Sequence, residues 1–128
     1  MDVLVVGSGG REHAIVWALL RSPSVRRVLA CPGNAGIESD AVRIPVRETD
    51  AAEIASLCKR EGIDLVIVGP ELPLALGLAD TLRARGIRVL GPGASGARLE
   101  SSKAFAKEFM ARHALPTASF GIAGSRRE

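Results

Sequence analysis

The sequence predicts an α/β fold, in which helices cover both faces of a parallel sheet of four to five strands. Short apolar runs alternate four times with amphipathic segments of helical period along the 128 residues, which is typical of βαβ units. The first run, residues 3–6, leads through Gly7, Gly9 and Gly10 directly into a helix pattern. A strand, a glycine-rich turn and a helix in this order open many doubly wound sheets.

The next elements follow from spacing and turn chemistry. A helix is predicted over residues 11–20, where apolar residues recur at helical spacing, and Ser22-Pro23 ends it. A second strand covers residues 26–31, and the turn-forming residues 32–36 are expected to be a loop. Residues 41–46 alternate between apolar and polar side chains, which indicates an edge strand or a connecting segment.

Capping residues define the second helix, and an apolar run defines the third strand. Asp50 and Glu53 form a capping box at the start of this helix, and Gly62 closes it. Residues 65–68 form an unbroken apolar run, which predicts a strand buried on both faces.

From residue 74 onward the pattern is helical except for one strand. The predicted elements are a helix over residues 74–85, a strand over 88–90, a helical turn over 94–99, and a final helix from Ser101 or Ser102 to Leu115-Pro116. The stripe of Phe105 and Phe109 on this final helix is expected to pack in the core. Residues 121–128 are expected to be a linker or a frayed end.

Composition narrows the class of protein. The chain is 47% hydrophobic and carries a net charge of +3, with its basic residues scattered and no Lys/Arg run interleaved with aromatic residues. This argues against a nucleic-acid partner. The absence of a membrane-length apolar stretch and of a signal-peptide pattern argues against a membrane partner. Cys31 and Cys58 are isolated in apolar patterns, as expected of reduced core thiols in a cytoplasmic protein.

The glycine-rich turn predicts an anion site. Glycines allow a ligand to approach the backbone closely, and the N–H groups at the start of the helix point at it. Arg11 can pair with a phosphate oxygen. Glu12 can accept a hydrogen bond from a hydroxyl or an amine, or can complement the helix dipole.

The pattern departs from the dinucleotide fingerprint Gly-x-Gly-x-x-Gly. Gly7 and Gly9 fit its first two positions, but Glu12 occupies the third. The second strand ends at Cys31-Pro32 and offers no carboxylate for ribose hydroxyls. A phosphorylated sugar is therefore favoured, and the dinucleotide-binding fragment of a nicotinamide-dependent oxidoreductase is the alternative.

Three turn-rich loops are expected to gather at one edge of the sheet. They are residues 7–10, 32–36 and 69–71, and each follows a predicted parallel strand. Ligands of such sheets bind beyond the carboxyl ends of the strands, so the three loops predict one pocket.

Four motifs at matching spacing identify a family resemblance. They read GSGGREHA at 7–14, PGNAG at 32–36, VGPE at 68–71 and SKAF at 102–105. From residue 3 to about residue 120 the chain closely resembles the amino-terminal part of the phosphoribosylamine–glycine ligases (glycinamide ribonucleotide synthetases), a family of the ATP-grasp superfamily. The resemblance implies a Rossmann-like, pre-ATP-grasp domain over residues 1–100. Residues 101–128 would then form a final helix and the start of a linker.

The resemblance also implies a reaction and a site. The family uses ATP to phosphorylate the carboxylate of glycine, and the amine of 5-phosphoribosylamine attacks the acyl phosphate in purine biosynthesis. Magnesium or manganese holds the nucleotide phosphates. By resemblance Lys103 reaches the nucleotide, and no catalytic residue or metal ligand falls within this chain. The implied contacts to the phosphoribosyl substrate are Gly9, Gly10, Arg11, Glu12, Asn34, Pro70 and Glu71.

The resemblance covers only part of a family member, because the ATP-grasp domains lie beyond residue 128. The chain is therefore expected to be a fragment that is inactive alone, with those domains and a small phosphoribosyl molecule as its partners. ATP and its metal ion are expected only in the complete enzyme. Two further alternatives are a non-catalytic docking scaffold and the opening domain of another ATP-grasp family, such as a carboxylase.

Overall fold

Parallel strands form the centre of the molecule. The computed structural model describes residues 1–125, so part of the predicted linker, residues 126–128, lies outside the described residues. The strands are β1 (Asp2–Gly7), β2 (Arg27–Pro32), β3 (Val42–Arg43), β4 (Leu65–Val68) and β5 (Val89–Leu90). They form one sheet of order β3-β2-β1-β4-β5, with parallel pairing throughout. The parallel α/β fold class is confirmed, and β3 is an edge strand, one of the two outcomes expected of residues 41–46.

Helices pack on both faces of this sheet, as predicted. One buried cluster joins the sheet to the third to sixth helices and includes Leu4, Ile54 and Leu82. A second cluster lies on the opposite face and includes Val5, Val16 and Ile37. The helices are α1 (Gly10–Leu19), α2 (Ala35–Asp40), α3 (Ala51–Glu61), α4 (Glu71–Ala75), α5 (Leu78–Ala84), α6 (Ala94–Ser101) and α7 (Lys103–Arg112).

The central strand contributes most to the core. Residues 3–6 of β1 are completely buried, and fully burying a Val or Leu side chain contributes about 1.5–3 kcal/mol. β4 pairs with β1 in the register Val3 to Leu65, and its last three residues are buried as well. The unbroken apolar runs of both strands follow from this burial on two faces.

Local capping sets the ends of α3, where the Asp50 half of the predicted capping box is present. The side chain of Asp50 accepts the N–H of Glu53 at 3.0 Å, and Gly62 closes the helix with φ of 66° in the left-handed region. Glycine adopts that conformation without the steric cost that other residues incur.

Two sequence predictions of secondary structure were wrong, one of a loop and one of a helix. The expected loop at residues 32–36 contains the start of α2, because the Oδ1 of Asn34 accepts the N–H of Ile37 at 2.9 Å and caps a helix there. The predicted helix over residues 74–85 is two helices that begin earlier, at Glu71, and break at Gly77, whose φ is 84°.

The expected packing of Phe105 and Phe109 in the core was also wrong. No residue of α7 is buried. The guanidinium of Arg98 lies 4.0 Å from the centroid of the Phe105 ring, and the Phe109 ring lies 4.4 Å from that of His113. α7 therefore lies on the surface of the described chain, against α6.

A cluster of charges secures the amino edge of the sheet. The carboxylate of Asp2 is fully buried and accepts hydrogen bonds from Arg26 at 2.7 and 2.9 Å and from Arg27 at 3.1 Å. Burial alone would raise the pKa of Asp2, but the two guanidinium groups outweigh it and leave that pKa lowered. Arg27 also donates to the carbonyl of Glu61 at 2.8 Å, which joins the start of β2 to the end of α3.

The two cysteines are buried free thiols, as predicted. Burial raises the pKa of Cys31 to about 12 and that of Cys58 to about 11. Across residues 1–125, none of the helices combines the length and the apolar character needed to cross a membrane.

Candidate functional site

The candidate site lies at the carboxyl edge of the sheet, where the direction of strand addition reverses. From β1 the chain moves to β2 on one side, and it later returns to add β4 on the other. The loops after β2 and β4 both bond to the end of β1. The N–H of Gly33 donates to the carbonyl of Gly7 at 3.2 Å, and that of Gly69 to the carbonyl of Val6 at 3.0 Å. Ligands of open α/β sheets bind at such a reversal.

The glycine loop between β1 and α1 lies at the centre of the candidate site, at the carboxyl end of β1. Gly7 adopts φ of 132° and lets the chain turn out of the strand. Ser8, Gly9, Gly10 and Arg11 are exposed. Because α1 begins at Gly10, its first N–H groups have no carbonyl one turn earlier in the helix. These groups and the helix dipole favour an anion at this end.

Arg11, directly after the glycine loop, supplies the positive charge of the site. Its Nε donates to Oε1 of Glu12 at 3.1 Å, and its Nη2 lies 3.6 Å from Oε2 of Glu71. The hydrogen bond to Glu12, opposed by burial and helped by Glu71, raises the pKa of Arg11, so it stays cationic. Its side chain is 55% exposed, so the guanidinium is open to a ligand from solvent.

Glu12 is the buried acid of the site, with only 3% of its surface exposed. Its Oε2 accepts the N–H of Gly9 at 2.7 Å. Its side chain occupies the space beside Gly7 and Gly69, where a Cβ on either glycine would lie 2.6 Å from its Cγ. The carboxylate therefore lies between the ends of β1 and β4.

Asn34 ties the second loop to the first. While its Oδ1 caps α2, its Nδ2 donates to the carbonyl of Ser8 at 2.8 Å. Both ends of the amide are thus bonded to protein groups. The three loops come together as expected. Asn34 bonds to the glycine loop. Glu71, which follows Pro70 at the start of α4, pairs with Arg11.

Lys103 lies elsewhere. It is the first residue of α7 and lines a separate depression of about 250 Å³ together with Lys107, Phe120 and Ile122. The structure does not bring it into the group of residues around Arg11.

Sequence reasoning missed a pocket beside the glycine loop. It has a volume of about 340 Å³ and is lined by Gly10, His13, Ala14 and Trp17. His13 pairs through Nε2 with Oδ2 of Asp40 at 2.8 Å. Trp17 is 53% exposed under the guanidinium of Arg21. The spacing of 0, 3, 4 and 7 from Gly10 was the available signal, since it places these residues on one helix face.

Among residues 1–125, no three or more His, Cys, Asp or Glu side chains are grouped so that they could hold a metal ion.

The chain is similar in sequence to curated phosphoribosylamine–glycine ligases. The chain is 50% identical over 128 residues to phosphoribosylamine–glycine ligase of Ralstonia nicotianae. It is 48% identical over 122 residues to that of Escherichia coli. It spans about 30% of the length of these curated relatives.

Solved structures share the fold. The crystal structure of phosphoribosylamine–glycine ligase from Thermotoga maritima superposes with a TM-score of 0.65 and 31% identity, over 93% of this chain and 26% of that one. The biotin carboxylase domain of a thermophilic 2-oxoglutarate carboxylase gives a TM-score of 0.67 at 22% identity, over 97% of this chain and 31% of that one. At that identity the second likeness concerns the fold alone.

The family is decided by the sequence model of the phosphoribosylglycinamide synthetase N domain, which matches residues 1–100. This confirms the resemblance seen in the four motifs and replaces the oxidoreductase and carboxylase alternatives. The chain belongs to the phosphoribosylglycinamide synthetase N-domain family.

Proposed function

We propose that this chain is the phosphoribosyl-binding domain of an ATP-dependent ligase that joins glycine to 5-phosphoribosylamine, yielding glycinamide ribonucleotide, ADP and phosphate. The single observation that carries the proposal is the exposed guanidinium of Arg11, which lies between the glycine loop and Glu71 at the carboxyl ends of β1 and β4. The names and identities of the curated relatives support it.

The 5-phosphate is assigned to the glycine loop. Gly9 and Gly10 carry no side chain that would keep a phosphate from the backbone. The N–H groups at the start of α1 and the guanidinium of Arg11 supply charge-assisted hydrogen bonds from two directions. Glu12 belongs to the same site, with its carboxylate held inside the loop.

The ribose and its amine are assigned to the opposite wall. The side chain of Glu71 is 50% exposed, and its carboxylate faces Arg11 across 3.6 Å. A phosphate that takes over Arg11 leaves this carboxylate able to accept a hydrogen bond from a ribose hydroxyl or from the amine. Pro70 lies next to Glu71 at the start of α4, and Asn34 borders the site on the β2 side, where it bonds to Ser8.

The chemical step is assigned to groups outside this chain. ATP phosphorylates the glycine carboxylate, and the amine then attacks the acyl phosphate and displaces phosphate. Mg²⁺ or Mn²⁺ would hold the nucleotide phosphates, Lys103 would contact the nucleotide, and the ATP-grasp domains would be the partners of this domain in the cytoplasm. Holding the amine in place for that attack is the contribution of residues 1–125, since orientation removes much of the entropic barrier.

Calorimetric titration tests the proposal. Glycinamide ribonucleotide should bind the chain saturably, while NAD and ATP should give flat titrations. Arg11→Ala should weaken binding about tenfold or more, because it removes a charge-assisted contact. Arg85→Ala, at an exposed arginine just after α5, should leave the affinity unchanged. Saturable binding of NAD, or equal binding by the Arg11→Ala variant, would overturn the proposal.

A further inference from the structure

The carboxylate of Glu12 lies at the centre of the candidate site, yet both of its oxygens are already bonded to protein groups. Oε2 accepts the N–H of Gly9 at 2.7 Å, and Oε1 accepts Nε of Arg11 at 3.1 Å. Its side chain is only 5% exposed. A ligand in the glycine loop would therefore meet the groups that Glu12 holds before it met Glu12.

The surrounding glycines fix this arrangement. Gly7 and Gly69 lie so close to the Glu12 side chain that a Cβ on either would approach its Cγ to 2.6 Å. The carboxylate is thus confined between two strand ends, and its oxygens have defined positions. A guanidinium bonded to such an oxygen loses much of the rotational freedom of a long side chain.

Compensation of the helix dipole does not account for this burial. Glu53 occupies the same third position in α3, where its side chain is 49% exposed and lies 3.8 Å from Arg60. An acid in the first turn gains from the dipole while it remains in water. Burying a carboxylate carries a desolvation cost that its hydrogen bonds must offset, so the burial of Glu12 indicates a role in addition to capping.

We propose that Glu12 is a positioning residue that acts through Arg11 and does not itself touch the substrate. By accepting from Nε, Glu12 turns the guanidinium so that its terminal nitrogens face the phosphate position. The N–H of Gly9, which donates to the other oxygen, holds the carboxylate in place for that contact. This inference rests on the proposed phosphoribosyl-binding function and assigns the specific route by which Glu12 serves it.

A double-mutant cycle with ribose 5-phosphate as the probe tests the route. Glu12→Gln keeps the shape of the side chain, but its amide has one acceptor oxygen and cannot accept from both Gly9 and Arg11. We expect its dissociation constant to rise about tenfold, and that of Arg11→Ala to rise at least as much. Because Glu12 acts through Arg11, the double variant should bind no more weakly than Arg11→Ala alone.

Additive losses in this cycle would overturn the proposal, since they would mean that Glu12 contacts the ligand independently. Glu53→Gln is the matched control, because it neutralises an acid at the same helix position far from the glycine loop. Its affinity should equal that of the unaltered chain. A loss in Glu53→Gln equal to that in Glu12→Gln would point to a general charge effect and would also overturn the route.

A measurement without ligand separates this inference from the proposed function. ¹⁵N relaxation of the Arg11 Nε–H should give an order parameter close to the rigid value of about 0.85 in the unaltered chain and below about 0.6 in Glu12→Gln. Equal order in both chains would overturn the positioning role. If the unaltered chain fails to bind ribose 5-phosphate, the proposed function fails, while the relaxation data still decide whether Glu12 orders Arg11.

Discussion

The Nδ2 of Asn34 donates to the carbonyl of Ser8 across 2.8 Å, so the residue that caps α2 also anchors the glycine loop. One amide thereby connects two loops that lie 26 positions apart in the sequence. The contact makes the geometry of the glycine loop depend on the start of α2, which contains no residue assigned to the phosphate itself.

The two halves of this amide can be tested separately. Asn34→Ala removes both bonds and should lower the free energy of unfolding by about 1 kcal/mol, the usual value for a lost N-cap. Asn34→Asp keeps an oxygen for the N–H of Ile37 but has no donor for Ser8. Urea unfolding should show that Asn34→Asp restores most of the stability. Calorimetry should show that it does not restore affinity for glycinamide ribonucleotide. Recovery of both properties would contradict the anchoring role of Nδ2.

Gly69 is predicted to be intolerant of any side chain. Gly69→Ala would drive a Cβ into the side chain of Glu12, and such overpacking typically costs about 1–3 kcal/mol. Gly10→Ala is the matched control, because its added Cβ would meet no atom within 4 Å apart from its chain neighbours and the backbone of its own helix, and alanine favours a helix over glycine. Chemical denaturation should therefore shift in opposite directions in the two variants. A neutral Gly69→Ala would contradict the confinement of Glu12.

The stability of the domain is predicted to depend on pH through Asp2. The pKa of this carboxyl is lowered in the folded chain from a reference value of 3.8, so its stabilisation is complete above that value. It is lost as pH falls through the lower folded pKa. Asp2→Asn should lower the melting temperature at pH 7, and the difference from the unaltered chain should narrow below pH 3.8. A difference that stays constant down to pH 2 would exclude ionisation of Asp2 as the cause.

The two thiols are predicted to be unreactive in the folded chain. Burial raises the pKa of Cys31 to about 12 and that of Cys58 to about 11, and only the thiolate is a strong nucleophile. At pH 8 a thiol-specific chromogenic reagent should therefore label neither cysteine as long as the chain stays folded. Both should react at once in denaturant. Rapid labelling of one thiol under native conditions would show that its part of the core opens locally.

The parts of the fold that the sequence predicted well are those with local causes. The strand at residues 65–68 was placed correctly because a run of four apolar residues has few alternatives in a doubly covered sheet. The helix α3 was placed correctly because Asp50 and Gly62 are strong signals at its two ends. The start of α2 was not predicted, because Asn34 is favoured both in turns and at the N-cap of a helix.

The candidate site was predictable only in outline. The rule that ligands bind beyond the carboxyl ends of parallel strands predicted that the loops carrying Arg11 and Glu71 would meet. The burial of the Glu12 carboxylate and its bonds to Gly9 and Arg11 were not predictable. They depend on the space beside Gly69, a residue more than fifty positions away in the sequence. A pattern of residue types does not reveal which donors a buried carboxylate will accept from.

The buried charge cluster around Asp2 lies at the edge of the sheet opposite to the glycine loop. Substitutions that strengthen or weaken that cluster should change how much heat the domain withstands without altering what it recognises. An engineer could therefore raise the thermal tolerance of this domain at one end and retune its ligand preference at the other, and could optimise the two properties in separate libraries.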